Sequence, residues 1–138
     1  MPVAWGGGRV RGSTHVRVYF ADTDQMGVVY HGVYLTWFEI GRTELLRDRG
    51  MAYAEVERRG ISLPVTEAWL RVRRPARYDD HIRIETELES LRSREMTFEY
   101  RLLRDDQLLV EGKSVHVSVA NPGGAATSVP DWLRQVVS

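Results

Sequence analysis

The sequence predicts an α+β domain in which an antiparallel sheet wraps around one long helix. Two patterns and one kind of connection point there. One stretch, residues 29–49, repeats its apolar residues at a spacing of three and four, the period of an amphipathic helix. One stretch before it and four after it alternate apolar and polar side chains, the period of a half-buried strand. The later strands are joined largely by tight turns.

The elements follow in chain order. Residues 1–13, with three consecutive glycines at Gly6 to Gly8, read as a flexible N-terminal tail ahead of a single domain over 14–138. Residues 14–21 alternate, with Val16, Val18 and Phe20 on one face. The helix over 29–49 is apolar over a wide arc through Val33, Trp37, Ile40 and Leu45, so something must cover most of it. Gly50 stops it. A short second helix is expected at 52–59, ending at Gly60. Strands follow at 63–73, 81–91, 95–104 and 108–120, the last with Val115, Val117 and Val119 on one face. Asp79-Asp80 and Asp105-Asp106 read as turns, and Asn121-Pro122-Gly123-Gly124 ends the series before a short final helix at 130–137. Such a sheet has one face on the helix. If its outer face is apolar, it pairs with another subunit.

Composition removes several function classes. Lys+Arg and Asp+Glu both number 19, so no net charge points to nucleic acid. There are no cysteines, hence no disulfide frame, thiolate zinc site or cysteine nucleophile. No run approaches a membrane span, and the first residues do not read as a secretion signal, so the expected location is the cytoplasm. Lys113 is the only lysine among the 19 basic residues. Genome composition, ion-pair networks and phosphate binding each account for that bias.

The stretch DTDQMGVVYHG, from Asp22 to Gly32, joins the first strand to the long helix. Three readings stand side by side. Asp22 or Asp24 caps the helix, accepting its free N–H groups. The two acids with His31 hold a divalent metal, although no second cluster completes an oxygen shell. Or an acid on one side and the free helix N–H groups on the other bracket a carbonyl, and the acid attacks the carbon or activates a water. His31 at the helix start orients a carbonyl or a water, or is only a polar surface residue. His15, His81 and His116 fall in strands without metal-ligand spacing. Arg92-Ser93-Arg94 is a phosphate clamp or a solvated hairpin, and Arg71, Arg73, Arg74 and Arg77 form a second basic stretch with the same ambiguity.

Three stretches resemble the hotdog-fold acyl-CoA thioesterases, and within them the YbgC-like branch of the 4-hydroxybenzoyl-CoA thioesterase family. They are VRVYFADTDQMGVVYHGVYLTWFEIGRTELLRDRG (16–50), RPARYDDHIRIETELESL (74–91) and MTFEYRL (96–102). The motif D-T-D-x-x-G-x-V-Y-H followed by W-F-E-x-x-R-x-E carries the likeness. The resemblance implies a sheet curled around a central helix, and dimers with two sites at the subunit interface, often paired into homotetramers. It separates the two acids: Asp24 matches the catalytic carboxylate, and the backbone near His31 matches the N–H that polarises the thioester carbonyl. Tyr30, His31 and Gly32 then line the site. Arg92, Ser93 and Arg94 match a stretch that meets the phosphates of coenzyme A. No cofactor is implied, because coenzyme A is part of the substrate. Many relatives carry a tyrosine where this chain has residues 71–74, which leaves contacts in that strand open. The rival readings are a hotdog hydratase or dehydratase, for which Glu39 and Glu44 are the helical acids, and a non-catalytic module that binds acyl-CoA or an acyl carrier.

Overall fold

The computed structural model describes residues 9–138. Its main sheet has five strands in the order β1-β4-β5-β6-β3, every pair antiparallel. In chain order these are β1 (Arg11–Arg17), β3 (Val65–Val72), β4 (His81–Leu91), β5 (Glu95–Arg104) and β6 (Gln107–Val117). The long helix α1 (His31–Asp48) lies against one face. Two short helices, α2 (Tyr53–Arg58) and α3 (Asp131–Val136), and a two-stranded sheet of β2 (Ile61–Ser62) with β7 (Val119–Ala120) complete the chain.

Several boundaries differ from expectation. β1 starts at Arg11, so residues 11–13 of the expected tail pair with β4, Arg11 opposite Glu87. Residues 1–8 of that tail lie outside the described residues. The strand stops at Arg17, and Phe20, expected on the buried face, is 71% exposed in a short 3-10 turn, Phe20–Asp22. There it stacks on Tyr78 at 3.8 Å. The strand expected at 63–73 starts later, at Val65, because Leu63 and Pro64 sit at a corner where the chain leaves the short strand β2 for β3. The strand expected at 108–120 likewise changes sheets after Val117.

The core lies between α1 and the inward rows of β4, β5 and β6. Ile82, Ile84 and Leu88, then Met96, Phe98, Tyr100 and Leu102, are buried against Tyr34, Trp37, Phe38 and Leu45 of the helix. Phe38 stacks on Tyr100 with centroids 4.3 Å apart, a contact worth about 1 kcal/mol beyond its buried area. Two glycines let helix and sheet approach. A Cβ on Gly41 would collide with Thr86 Oγ1 and come within 2.8 Å of Ile84 Cγ2, and one on Gly112 would lie 2.5 Å from the Phe38 ring.

β6 turns inward a different row from that of Val115 and Val117. Val110, Gly112, Ser114 and His116 are buried, whereas Val115 and Val117 look toward the outer face. That outer face is not apolar. Arg101 and Arg83 bond Glu85 at 2.7 and 3.1 Å, Arg73 bonds Glu111 at 2.8 Å, and Lys113 bonds Glu89 at 3.0 Å. The condition for pairing across the outer face is therefore unmet, since charges already engaged with one another would have to be desolvated.

Candidate active site

The loop between β1 and α1 is held mostly by its own backbone. The Asp22 carboxylate accepts the Tyr19 N–H at 2.8 Å, and the Asp22 carbonyl accepts the Tyr30 N–H at 2.9 Å. Asp22 thus closes the short 3-10 turn and ties it to the start of α1. It is a capping acid, but for the short turn and not for the long helix.

Asp24 sits in a small hairpin of its own. Its N–H donates to Val28 O at 2.9 Å, the Gly27 N–H donates to Asp24 O at 3.0 Å, and Thr23 bridges Val29. Gly27 has φ 78°, the left-handed conformation this reversal requires. Asp24 Oδ1 accepts the Met26 N–H at 2.8 Å, which sets the carboxylate in an Asx turn. Its other oxygen has no partner among the described residues, and the side chain is exposed. A short run, Val28 to Tyr30, then leads into α1.

The helix begins without a side-chain cap. Tyr30 is its N-cap residue, at φ −63° and ψ 131°, and its side chain accepts no bond from the first turn. Neither acid caps α1, because both are engaged within the preceding loop. The Val33 N–H turns back to Tyr30 O at 2.9 Å. The N–H groups of His31 and Gly32 have no partner among the described residues, the usual state of a helix start that binds an anion or a carbonyl oxygen. The Tyr30 ring lies over Gly32, where a Cβ would meet Tyr30 Cε2 at 2.7 Å. His31 is exposed with its ring 4.5 Å from that of Tyr30. Tyr30, His31 and Gly32 thus stand together at the helix start, and the Thr23–Val29 bridge holds Asp24 in the hairpin just ahead of them.

Tyr34, one turn into α1, extends this group, although periodicity by itself marks it only as part of the helix's apolar arc. It is buried, and its hydroxyl accepts the Ala76 N–H at 3.1 Å, while the Val29 N–H donates to Ala76 O at 2.9 Å. Burial raises the Tyr34 phenol above its ordinary value, the Ala76 N–H opposes that, and the nearby charges of Asp24 and Asp80 add to the rise. The Arg-Pro-Ala-Arg-Tyr interruption thus has a structural use: Ala76 pins the helix start to the sheet. Arg73 in this stretch pairs with Glu111, while Arg71, Arg74 and Arg77 are exposed.

Arg92, Ser93 and Arg94 stand elsewhere. They form the turn between β4 and β5 and are exposed. Arg134 Nη2 donates to Arg92 O at 2.5 Å and Ser93 O at 3.1 Å, so α3 braces the turn. The opposite end of β4, at His81, lies beside the root of the Asp24 loop, where the Asp79 N–H donates to Val18 O. A strand of this length spans about 30 Å. Within one chain the 92–94 turn and Asp24 are at opposite ends of the sheet.

The histidines separate by environment. His15 and His81 stack on each other at 4.8 Å on the surface, and His116 is buried. Among the described residues, no group of three His, Asp or Glu side chains could hold a metal ion, and no helix is long and apolar enough to cross a membrane.

The sequence pattern of the thioesterase-like superfamily matches residues 18–137. The chain belongs to that superfamily. It is 34% identical over 107 residues to the acyl-CoA thioester hydrolase YbgC of Escherichia coli, across 78% of this chain and 80% of that one. Protein TT1821 of Thermus thermophilus superposes with a TM-score of 0.87 at 38% identity, covering 91% of this chain and 95% of that one. The DHNA-CoA thioesterase of Staphylococcus aureus superposes at 0.85 with 26% identity, over 90% and 87% of the two chains. The fold is accordingly the hotdog fold, and this member of the thioesterase-like superfamily is an enzyme of the thioesterase class.

Proposed function

We propose that the protein hydrolyses acyl-CoA thioesters to the free acid and coenzyme A, with Asp24 as the reacting carboxylate. The observation that carries this reading is the uncapped start of α1, where the N–H groups of His31 and Gly32 are unpartnered a few residues from an exposed carboxylate. The thioester oxygen sits on those N–H groups, which stabilise the negative charge that builds on it as the carbon is attacked; loss of one such donor typically costs about 3 kcal/mol of barrier. As nucleophile, Asp24 forms an acyl anhydride and expels the thiolate of coenzyme A, and water then cleaves the anhydride. As general base, Asp24 takes a proton from the attacking water. The exposed Asp24 oxygen suits either route. His31 stands beside the same N–H groups and orients the carbonyl or the water, and Tyr30 and Gly32 form the wall.

The site is completed by a second copy of the chain. β3 is the sheet edge with apolar side chains exposed: Val65 at 47%, Trp69 at 52% and Val72 at 41%. An unpaired edge of this kind is a template for another strand. Antiparallel pairing of two β3 strands about a two-fold axis keeps both helices on one face and reverses the second copy. The end of that copy bearing its 92–94 turn then lies beside this chain's Asp24 end. This supports Arg92, Ser93 and Arg94 as the contacts for the phosphates of coenzyme A, supplied across the interface. The dimer is the unit this edge supports.

Asp24→Asn tests the chemistry, because Asn keeps the Asx-turn acceptor and removes the charge. Turnover of a panel of acyl-CoA esters should nearly vanish, and near-full turnover would exclude the assignment. Trp69→Glu tests the dimer: light scattering should show a monomer, and turnover should fall by roughly 100-fold as the two halves of the site separate. An active monomer would place the 92–94 turn outside the site.

A further inference from the structure

The turn between β4 and β5 is held from behind by a later part of the chain. Its own hairpin supplies one bond, from the Arg92 N–H to Glu95 O at 2.8 Å. The Ser118 N–H, just past β6, donates to Arg94 O at 2.8 Å, and the Val129 N–H, just ahead of α3, donates to Ser93 O at 2.8 Å. Arg134 of α3 adds its Nη2 to Arg92 O and to Ser93 O. Its Nε donates to Val129 O at 3.2 Å, so one guanidinium joins the turn to the segment that leads into α3.

The result is a turn with its acceptors taken and its donors free. The carbonyl oxygens of Arg92, Ser93 and Arg94 each accept a bond from this later segment. The N–H groups of Ser93 and Arg94 have no partner among the described residues. The side chains of Arg92 and Arg94 are exposed and form no ion pair among those residues. A free carbonyl oxygen carries partial negative charge and opposes an anion, whereas backbone N–H groups, a hydroxyl and a guanidinium all favour one. With the carbonyls drawn toward α3, a phosphate at this turn meets donors: two N–H groups, the Ser93 hydroxyl and two guanidinium groups.

Arg134 is not needed to hold α3 in place. Leu133, Val129 and Val137 are buried, and the Arg59 guanidinium lies 4.9 Å from the centre of the Trp132 ring. The polar end of Arg134 is spent instead on three backbone carbonyls, two of them in the turn. Arg92 O depends on it, and Ser93 O shares it with the Val129 N–H.

We propose that Arg134 is a positioning residue for the coenzyme A end of the substrate. It keeps the Arg92 and Ser93 carbonyls on the α3 side, so that the turn presents donors to a phosphate. This rests on the reading of the 92–94 turn given above and names what keeps that turn competent. Arg134 touches neither the thioester nor Asp24, so its influence falls on binding and not on the chemical step.

The test compares a CoA ester with the pantetheine thioester of the same acid, which carries no phosphate. Arg134→Met keeps the stem and should raise KM for the CoA ester by about 10-fold or more, the size expected when hydrogen bonding around a charged group is lost. Its kcat, and both constants for the pantetheine thioester, should stay within about 2-fold. Arg134→Lys should recover part of the loss, because an ammonium reaches one carbonyl but lacks the fork that spans two. Arg134→Gln removes the charge, keeps a donor and serves if Arg134→Met fails to fold. Calorimetry with free coenzyme A should show the same weakening without turnover. Equal changes for the two thioesters, or unchanged affinity for coenzyme A in both variants, overturn the proposal. Replacing Arg92 and Arg94 together by alanine separates it from the reading beneath it. If that double variant weakens coenzyme A binding and Arg134→Met does not, the turn binds phosphate unaided and Arg134 has no such role. If the double variant leaves coenzyme A binding intact, the turn is not the phosphate site and the proposal falls with it. If coenzyme A binding needs Arg134 and both turn arginines but no ester is cleaved, hydrolysis is wrong and the positioning role stands.

Discussion

The two halves of α1 keep their polar groups in opposite conditions. At its start, Asp24, Tyr30 and His31 are exposed, and the N–H groups of His31 and Gly32 are unmatched among the described residues. Three turns on, Arg42 leans over Tyr100, Ser114 and His116, which are buried and bonded in series from one strand to the next. The first half spends little on stability and keeps its groups free for a reacting molecule. The second is built into the core, where an unmatched hydroxyl or ring nitrogen would cost stability directly. One helix thus carries a site that should be mutable without unfolding and another that should not.

The sharpest separation comes from Asp24→Asn. Activity should fall by at least about 1000-fold, or about 4 kcal/mol of barrier, while the melting temperature stays within a few degrees because the turn keeps its acceptor. A large loss of stability would erase the contrast between the halves.

The buried half should show itself in acid. His116 is held neutral in the fold, with its pKa lowered from 6.5 to about 4. The unfolded chain therefore takes up a proton below pH 6.5 that the folded chain refuses until about pH 4. Stability from this residue is complete above pH 6.5 and drains as the pH falls through that window, by about 3 kcal/mol in all. Urea titrations at a series of pH values should show the slope, and His116→Asn should remove it.

Gly41→Ala probes the contact between the halves. The added Cβ collides with Thr86 and crowds Ile84, so unfolding free energy should drop by about 2 kcal/mol. Asp22→Ala should have the smallest effect, about 1 kcal/mol of stability from the lost Tyr19 bond. Its kcat/KM should fall far less than that of Asp24→Asn. Equal losses of turnover from the two acids would end the distinction between them.

Much of this was legible in the chain. Periodicity located α1 to within two residues at its start, from Trp37, Leu45 and their neighbours, because a three-and-four apolar repeat has few other ways to be buried. Inward rows such as Met96, Phe98, Tyr100 and Leu102 followed from alternation for the same reason. The motif around Asp24 singled out the loop, and its likeness to known thioesterases chose between the acids. At β6 alternation put Val115 and Val117 on one face but did not say which face is buried, and the fold buried the other. Ser114 and His116 can lie inside because Tyr100 and Leu63 satisfy them, and those partners are distant in sequence.

What depended on local order, then, was readable from residue types: the elements, their turns, and an acid placed just ahead of a helix. What depended on distant residues meeting was not. That α1 starts uncapped follows from Asp22 being occupied by Tyr19, and Asp24 by Met26. That the 92–94 turn stands about 30 Å from Asp24 follows from the direction of β4. That Ser114 and His116 are matched inside the core follows from the Tyr100 hydroxyl and Leu63 O reaching them from distant positions. Periodicity records which side of an element is apolar; it holds no record of which polar groups will find each other once those sides are packed.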